Sequence, residues 1–240
     1  MTSPSTTKTK PRVIALIAAA GQGTRLGAEV PKAYVELRGR TLLERSVRAL
    51  LASGVVDEVI VLVSPDMEPE AARIIGRIDA APIRLVHGGS ERADSVWAGL
   101  QAIPDDDAVV LIHDAARALT PPAMVRDVAK RVLEGAPAAV PVVPVADTIK
   151  EVAADAVVST PDRSRLRAVQ TPQAFRLSAL RQANLDYWAE QPEFTATDDA
   201  SLMEWHGEHV ATVPGDTLAF KITTPIDLTL AHALTEETHD

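Results

Sequence analysis

The chain has 240 residues, no cysteine, 46% hydrophobic and only 3% aromatic residues, and a formal net charge of -9. This length supports a sizeable core without cross-links, and zero cysteine excludes disulfides, thiolate metal sites and a cysteine nucleophile. The acidic balance argues against a nucleic-acid partner, the few aromatics argue against base-stacking platforms, and no apolar run approaches the roughly 20 residues of a membrane span.

Residues 1–11, MTSPSTTKTKP, are rich in Ser, Thr and Lys. They lack the apolar core of a secretory signal. We expect a disordered tail, then a single domain over 12–240, in the cytoplasm. RVIALIAAA (12–20) is a continuous apolar run, the pattern of a fully buried strand. Thr41 to Glu44 form a capping box, and Leu42, Leu43, Val47, Leu50 and Leu51 follow at helical spacing until Gly54. DEVIVLVS (57–64) predicts a second buried strand, residues 67–78 a polar helix, and IRLVH (83–87) a third strand. Residues 91–103 predict a helix with Ala93, Val96, Trp97 and Leu100 on one side. AVVLIHD (108–114) is again a buried strand, and Thr120-Pro121-Pro122 starts a helix. AAVPVVPV (138–145) is a strand whose prolines place it near an edge. Thr224 to Asp227 open the last helix, which runs to about Leu234. Strands separated by helices predict βαβ units and an α/β fold with a mostly parallel sheet. Residues 146–170 break this rhythm. They alternate around a turn at Asp155-Ala156, and predict a hairpin or arm projecting from the sheet.

Four groups of residues carry chemistry. AAAGQGTRLG (18–27) follows the first strand, and Gly21 and Gly23 let backbone N–H groups approach a phosphate closely. A third glycine of the dinucleotide fingerprint is missing, since Leu26 stands there, and the Walker pattern is absent. A glycine turn also occurs for purely structural reasons; two cations, Arg25 and Lys32, set this one apart. The stretch 12–48 holds seven Arg and Lys against three Glu, so the acidic total hides a basic segment. GGSERADSV (88–96) offers Gly88, Gly89 and Ser90 to wrap a flat ring, with Ser95 opening toward the same crevice, or else a loop and a helix cap. Asp114, at the C-terminal end of a buried strand, faces the crevice where open α/β sheets bind ligands. It suits a divalent metal, a substrate hydroxyl, or a turn cap. His113 points to the opposite face and reads as structural. Thr148, Arg163, Arg165, Arg167 and Thr171 in the arm region, with Lys221, either meet a phosphorylated substrate or form a solvated face. There is no Ser–His–Asp order and no HExxH motif, so the chemistry expected is phosphoryl or nucleotidyl transfer by positioned charges.

In combination, AAAGQGTRLG, VPKAY (30–34), GGSERADSV, LIHDAAR (111–117), ADTIK (146–150), AVQTPQAF (168–175), TDDAS (197–201) and FKITTP (220–225) resemble the 2-C-methyl-D-erythritol 4-phosphate cytidylyltransferase family, in order, from about residue 12 to 235. The resemblance implies a three-layer Rossmann-like nucleotidyltransferase fold and transfer of CMP from CTP to methylerythritol phosphate, with pyrophosphate released and magnesium bound mainly through the CTP phosphates. It places Ala19, Ala20, Gly21, Gly23, Gly89, Ser90, Ser95 and Ala115 on the nucleotide. Arg25 and Lys32 stabilise the transition state, and Arg163 and Lys221 position the substrate phosphate. Asp114, Arg117, Thr148, Thr171 and Thr197 lie on the substrate side, Asp114 being the candidate for a metal. It further implies a homodimer with exchanged arms, so that Thr148 and Arg163 complete the partner's site. Ser90 departs from the family's common Asp, and Gln22 from an aromatic residue. The alternatives are a ribitol-5-phosphate cytidylyltransferase, a sugar-1-phosphate nucleotidyltransferase and a non-catalytic nucleotide-binding module, the last opposed by the presence of both Arg25 and Lys32.

Overall fold

Continuous β-branched runs form the middle of one large sheet. The computed structural model describes residues 10–21, 26, 30–79, 81–104 and 107–236. In chain order the elements begin with β1 (Arg12–Ala18), the short hairpin β2 (Glu36–Leu37) and β3 (Arg40–Thr41), α1 (Leu42–Ala52), β4 (Glu58–Val63), α2 (Glu68–Ile75), β5 (Ile83–His87), α3 (Arg92–Gln101), β6 (Ala108–Asp114), α4 (Pro122–Leu133) and β7 (Ala138–Pro144). There follow β8 (Glu151–Ala153), β9 (Ala156–Ser159), β10 (Arg167–Val169), β11 (Gln173–Arg176), α5 (Leu177–Glu190), α6 (Asp199–Trp205), β12 (Val210–Pro214) and α7 (Pro225–Glu236). The tail expected over 1–11 lies almost wholly outside the described residues.

The sheet runs β10-β7-β11-β6-β1-β4-β5, with β12 on the other side of β7. β1 pairs in parallel with both β4 and β6, and β4 with β5, while β11 is antiparallel to β6 and β7. Alternation divides the core between two faces. Val13, Ala15, Ile17, Val59, Val61 and Leu111 pack with α1, α2 and α4. Ile14, Leu16, Ile60, Leu62, Val110 and Ile112 pack with α3, α5 and α6. Both faces of the central strands are therefore covered, which is why their sequences read as unbroken apolar runs. The result is the α/β three-layer architecture expected.

The capping box expected at Thr41 to Glu44 forms only in part, since the Glu44 carboxylate accepts from Arg48 Nε at 2.8 Å. Thr41 caps α1 by accepting from the Glu44 N–H at 3.1 Å. α3 lies close on the sheet because Gly99 has no side chain: a Cβ there would stand 2.8 Å from Leu62 Cδ2 and 3.0 Å from Leu16 Cδ1. β7 differs from expectation. It is interior, with β12 on one side and β11 then β10 on the other. Pro141 falls where the antiparallel partner changes from β11 to β10, and its carbonyl accepts from the Gln170 N–H at 2.8 Å. Pro141 marks this change of partner instead of an edge, and Pro144 ends the strand opposite Arg167.

Within residues 146–170 only β8 and β9 form a hairpin; β10, at 167–169, joins the main sheet beside β7. β8 and β9 pair only with each other and are separate from the main sheet. The turn sits one residue earlier than expected, at Ala154-Asp155, with Ala154 at φ 52°. Residues 171–223, left without elements in the chain-order reading, supply β11, α5, α6 and β12.

Candidate active site

The chain runs from β1 outward to β4 and β5, then returns to β6 on the other side of β1. Strand order therefore reverses between β1 and β6, which opens a crevice beyond their C-terminal ends. Ala18 and Asp114, the last residues of these two strands, stand opposite each other in register. A cavity of about 180 Å³ occupies this crevice. It brings together Ala19, Ala20 and Gly21 after β1, Lys32 from the following 3-10 turn, Gly89, Ser90 and Ser95 at the start of α3, Asp114 and Ala115 after β6, and Lys221 near the chain's end. Gly23 and Arg25 lie outside the described residues.

Each wall has a local cause. The Gly88-Gly89 loop folds back over the first turn of α3. A Cβ on Gly88 would lie 2.5 Å from Ser95 Oγ, and one on Gly89 would lie 2.2 Å from Asp94 Cβ. Asp94 Oδ2 gathers this loop by accepting from Ser90 Oγ at 2.9 Å and from the Glu91 N–H at 3.1 Å. Ser95 is almost fully buried, and its hydroxyl donates to the Glu91 carbonyl at 3.0 Å. Ala115 is held from α1, where Ser46 Oγ donates to its carbonyl at 2.9 Å. Lys221 is placed by the next residue, whose N–H donates to the Ala116 carbonyl at 2.9 Å.

The electrostatic centre is Asp114. Its Oδ2 lies 2.8 Å from Lys221 Nζ and 4.0 Å from Arg117 Nε, and its Oδ1 lies 3.4 Å from Arg92 Nε. Burial alone would raise the carboxyl; Arg92 and Lys221, with Arg117 beyond them, outweigh it and hold Asp114 well below the usual carboxylate range. Its backbone N–H donates to Thr171 Oγ1 at 3.0 Å, and the same hydroxyl shares a hydrogen bond with His113 Nδ1 at 3.1 Å. His113 is fully buried. Desolvation, against the pull of Asp114, pushes it down to about 4, so the ring is neutral near pH 7. It is the structural histidine expected from strand alternation.

The remaining residues lie outside the cavity. Arg117 spends its fork on backbone, donating to the Ala219 carbonyl at 2.7 Å and the Val169 carbonyl at 3.4 Å. Thr171 lies beneath Asp114, as just described. Thr197 is exposed beside the start of α6, its N–H donating to Ser201 Oγ at 3.0 Å. Thr148 and Arg163 are exposed on the arm segment, where Arg163 Nη1 donates to the Ala146 carbonyl at 2.6 Å. Arg163 lines a separate hollow with Pro144, Asp162 and Arg167. One residue was missed. Arg92 lines the cavity and bridges Asp114 to Asp199, whose Oδ2 is 2.8 Å from Arg92 Nη1. Its sequence signal was its place in GGSERADSV, three residues before Ser95.

A divalent cation held by protein side chains does not suit this cavity. Both oxygens of Asp114 already face cations, and among the described residues no group of three or more His, Asp or Glu could hold a metal ion. Lys32, Arg92 and Lys221 line the cavity with Asp114, Glu91 and the backbone of a glycine loop, three cations against two carboxylates, a balance that suits an anion.

The comparisons with known proteins agree with this geometry. A family model described as 2-C-methyl-D-erythritol 4-phosphate cytidylyltransferase matches residues 13–237. A protein of that name from Corynebacterium efficiens is 62% identical over 94% of each chain, and one from Rhodococcus jostii is 51% identical over 94% of this chain and 96% of its own. Among solved structures, the cytidylyltransferase of that name from Thermus thermophilus matches with a TM-score of 0.77 and 36% identity, covering 94% of this chain and 99% of its own. The 4-diphosphocytidyl-2C-methyl-D-erythritol synthase from Anaerococcus prevotii matches with a TM-score of 0.82 and 30% identity, covering 95% of this chain and 100% of its own. With its cavity at the strand-order reversal and these likenesses over nearly its whole length, the chain belongs to the 2-C-methyl-D-erythritol 4-phosphate cytidylyltransferase family, nucleotidyltransferases of the non-mevalonate isoprenoid pathway.

Proposed function

We propose that this cavity transfers CMP from CTP to methylerythritol phosphate. The triphosphate lies along Ala19, Ala20 and Gly21, with Gly23 and Arg25 continuing the loop, and the cytosine lies against Gly89, Ser90 and Ser95, with Ala115 below. Lys221 and Asp114 face the second substrate, with Arg117, Thr171 and Thr197 supporting that side. A phosphate oxygen of methylerythritol phosphate attacks the α-phosphorus. The new P–O bond forms as the bond to the bridging oxygen breaks, and pyrophosphate leaves with that electron pair. Lys32 and Arg25 stabilise the negative charge that grows on the α-phosphoryl oxygens, which is the dominant device in phosphoryl-type transfer. Magnesium comes with the CTP phosphates, where it neutralises charge; no step here depends on a protein ligand for it.

The observation that carries this reading is the convergence of Lys32 and Lys221, from opposite ends of the chain, on one cavity beside a glycine loop. The same reading takes residues 12–240 as one nucleotidyltransferase domain acting in the cytoplasm; no helix among the described residues is long and apolar enough to cross a membrane. It takes 146–170 as a dimerisation arm that delivers Thr148 and Arg163 to the partner's cavity, supported by the exposure of the arm's valines. A pyrophosphate-release assay tests the substrate assignment, offering methylerythritol phosphate, ribitol phosphate and a sugar-1-phosphate in parallel with CTP, UTP and ATP. Release confined to CTP with methylerythritol phosphate is expected; equal release with ribitol phosphate overturns it.

A further inference from the structure

Two adjacent aspartates in TDDAS (197–201) do different jobs. Asp198, half-buried, is spent on the fold's own hydrogen bonds. Its Oδ1 caps α6 by accepting from the Ser201 N–H at 2.8 Å, and its Oδ2 accepts from Gln173 Nε2 at 2.6 Å. Gln173 closes the clamp by accepting from the Ala200 N–H at 3.2 Å. The start of α6 is thereby fastened to β11. Asp199, one residue on, points into the protein. Its side chain is buried, and its charged neighbour is Arg92 Nη1 at 2.8 Å. Arg92 reaches Asp114 Oδ1 with Nε, and Asp114 Oδ2 holds Lys221. The four side chains make a row of alternating charge, from the base of α6 to the mouth of the cavity.

Stability is a poor explanation for this row. Burying a carboxylate costs several kcal/mol, and a guanidinium that stays 34% exposed returns only part of it. Burial pushes the Asp199 carboxyl up, with Arg92 opposing. What the row supplies is direction. A guanidinium has a planar fork on a long chain of rotatable bonds, and a close ion contact at one edge of the fork biases where the other edge points.

We propose that Asp199 is a positioning residue for the second-substrate side of the cavity: acting through Arg92, it fixes the Asp114 carboxylate and with it the Lys221 ammonium. Without Asp199 the guanidinium is free to turn away from Asp114, and Lys221 loses the geometry it needs. The inference rests on the reading of the cavity given under the proposed function. It adds a residue that does not line the cavity itself.

The test is a double-mutant cycle on the full chain, with Asp199→Asn, Arg92→Gln and the pair. Steady-state kinetics would follow both substrates, and calorimetry would give CTP binding alone. Misplacing a reacting group by about an ångström costs on the order of 10²-fold. Asp199→Asn should therefore lower kcat/KM for methylerythritol phosphate by about 10- to 100-fold. CTP affinity should stay within about twofold, as expected for a group outside the nucleotide's contacts. The double variant should be no worse than Arg92→Gln alone, because residues acting as a unit are not additive. Losses that multiply, or a CTP affinity that falls as far as kcat/KM, overturn the proposal. Should Asp199→Asn fail to fold, Arg92→Lys asks the same question, since it keeps the charge and loses the fork: the same substrate-selective loss is expected, and wild-type kcat/KM refutes. Failure of the underlying reading would look different, with wild-type protein releasing no pyrophosphate from CTP or Lys221→Ala keeping full activity.

Discussion

The cavity and the arm are opposite solutions to the placing of charged residues. In the cavity, Asp114 is 8% exposed and Ser95 3%, and Asp114 is reached by Arg92 from α3, Thr171 before β11 and Lys221 near α7. On the arm, Val152, Val157 and Val158 are 59–64% exposed, and β8 and β9 have no neighbour but each other. An isolated two-stranded hairpin is marginally stable in water, and three exposed valines on so short a ribbon want a cover. The cavity's geometry is thus specified by its own chain. The arm's valines have no cover from the other described strands, and in the proposed dimer a second copy supplies it.

The largest effect expected on either side of this contrast lies in the cavity. Lys32→Ala should lower kcat by about 10²–10³-fold, the usual loss for one preorganised electrostatic donor, with CTP affinity almost unchanged by calorimetry; near-normal turnover would remove Lys32 from the transition state. The next effect joins the two regions. Arg163→Ala and Lys221→Ala proteins, each nearly inactive, should recover activity when mixed and allowed to exchange subunits. If the arm serves the partner's cavity, each heterodimer has one intact site, and random assortment gives about a quarter of wild-type activity. A mixture as inactive as its parents would return Arg163 to its own chain. The smallest effect on the fold concerns the arm alone. Val157→Asp should leave urea unfolding of the main domain within about 0.5 kcal/mol, as for a surface position, while light scattering shows a shift from dimer to monomer. A dimer that is unchanged would mean that the arm's valines are not its contact.

How far the sequence disclosed this arrangement follows from the range of the forces involved. β1, β4, β6 and α1 were legible because each is an uninterrupted apolar run or a capped 3.6-residue repeat, both local signals. β11 and β12 have four and five residues, and α6 has seven. Such short pieces carry no periodicity to detect. α5 exposes Leu185 and Trp188 among its apolar residues, which blurs its pattern. In the site, Gly21 could be nominated because it follows a strand, Asp114 because it ends one, Lys32 as a cation near the glycine loop and Lys221 because it sits in a recognisable stretch. Arg92 could not. Its meaning lies in two carboxylates, one on β6 and one on α6, and nothing near it in the chain announces either of them.

Gly99 extends that lesson to the hydrophobic core. It sits two turns along α3 from Arg92 and one from Ser95, and its missing methyl lets the helix settle on Leu16 and Leu62. The helix therefore acts as a gauge block: its seat in the core sets the clearance between the Gly88-Gly89 loop and the end of β6. Restoring a single methyl at Gly99 would ask two fully buried leucines to yield by a few tenths of an ångström, or the helix to lift. Hydrogen-bond lengths in the cavity tolerate little more than that. The machining tolerance of the active site is thus held in apolar contacts that never meet a substrate.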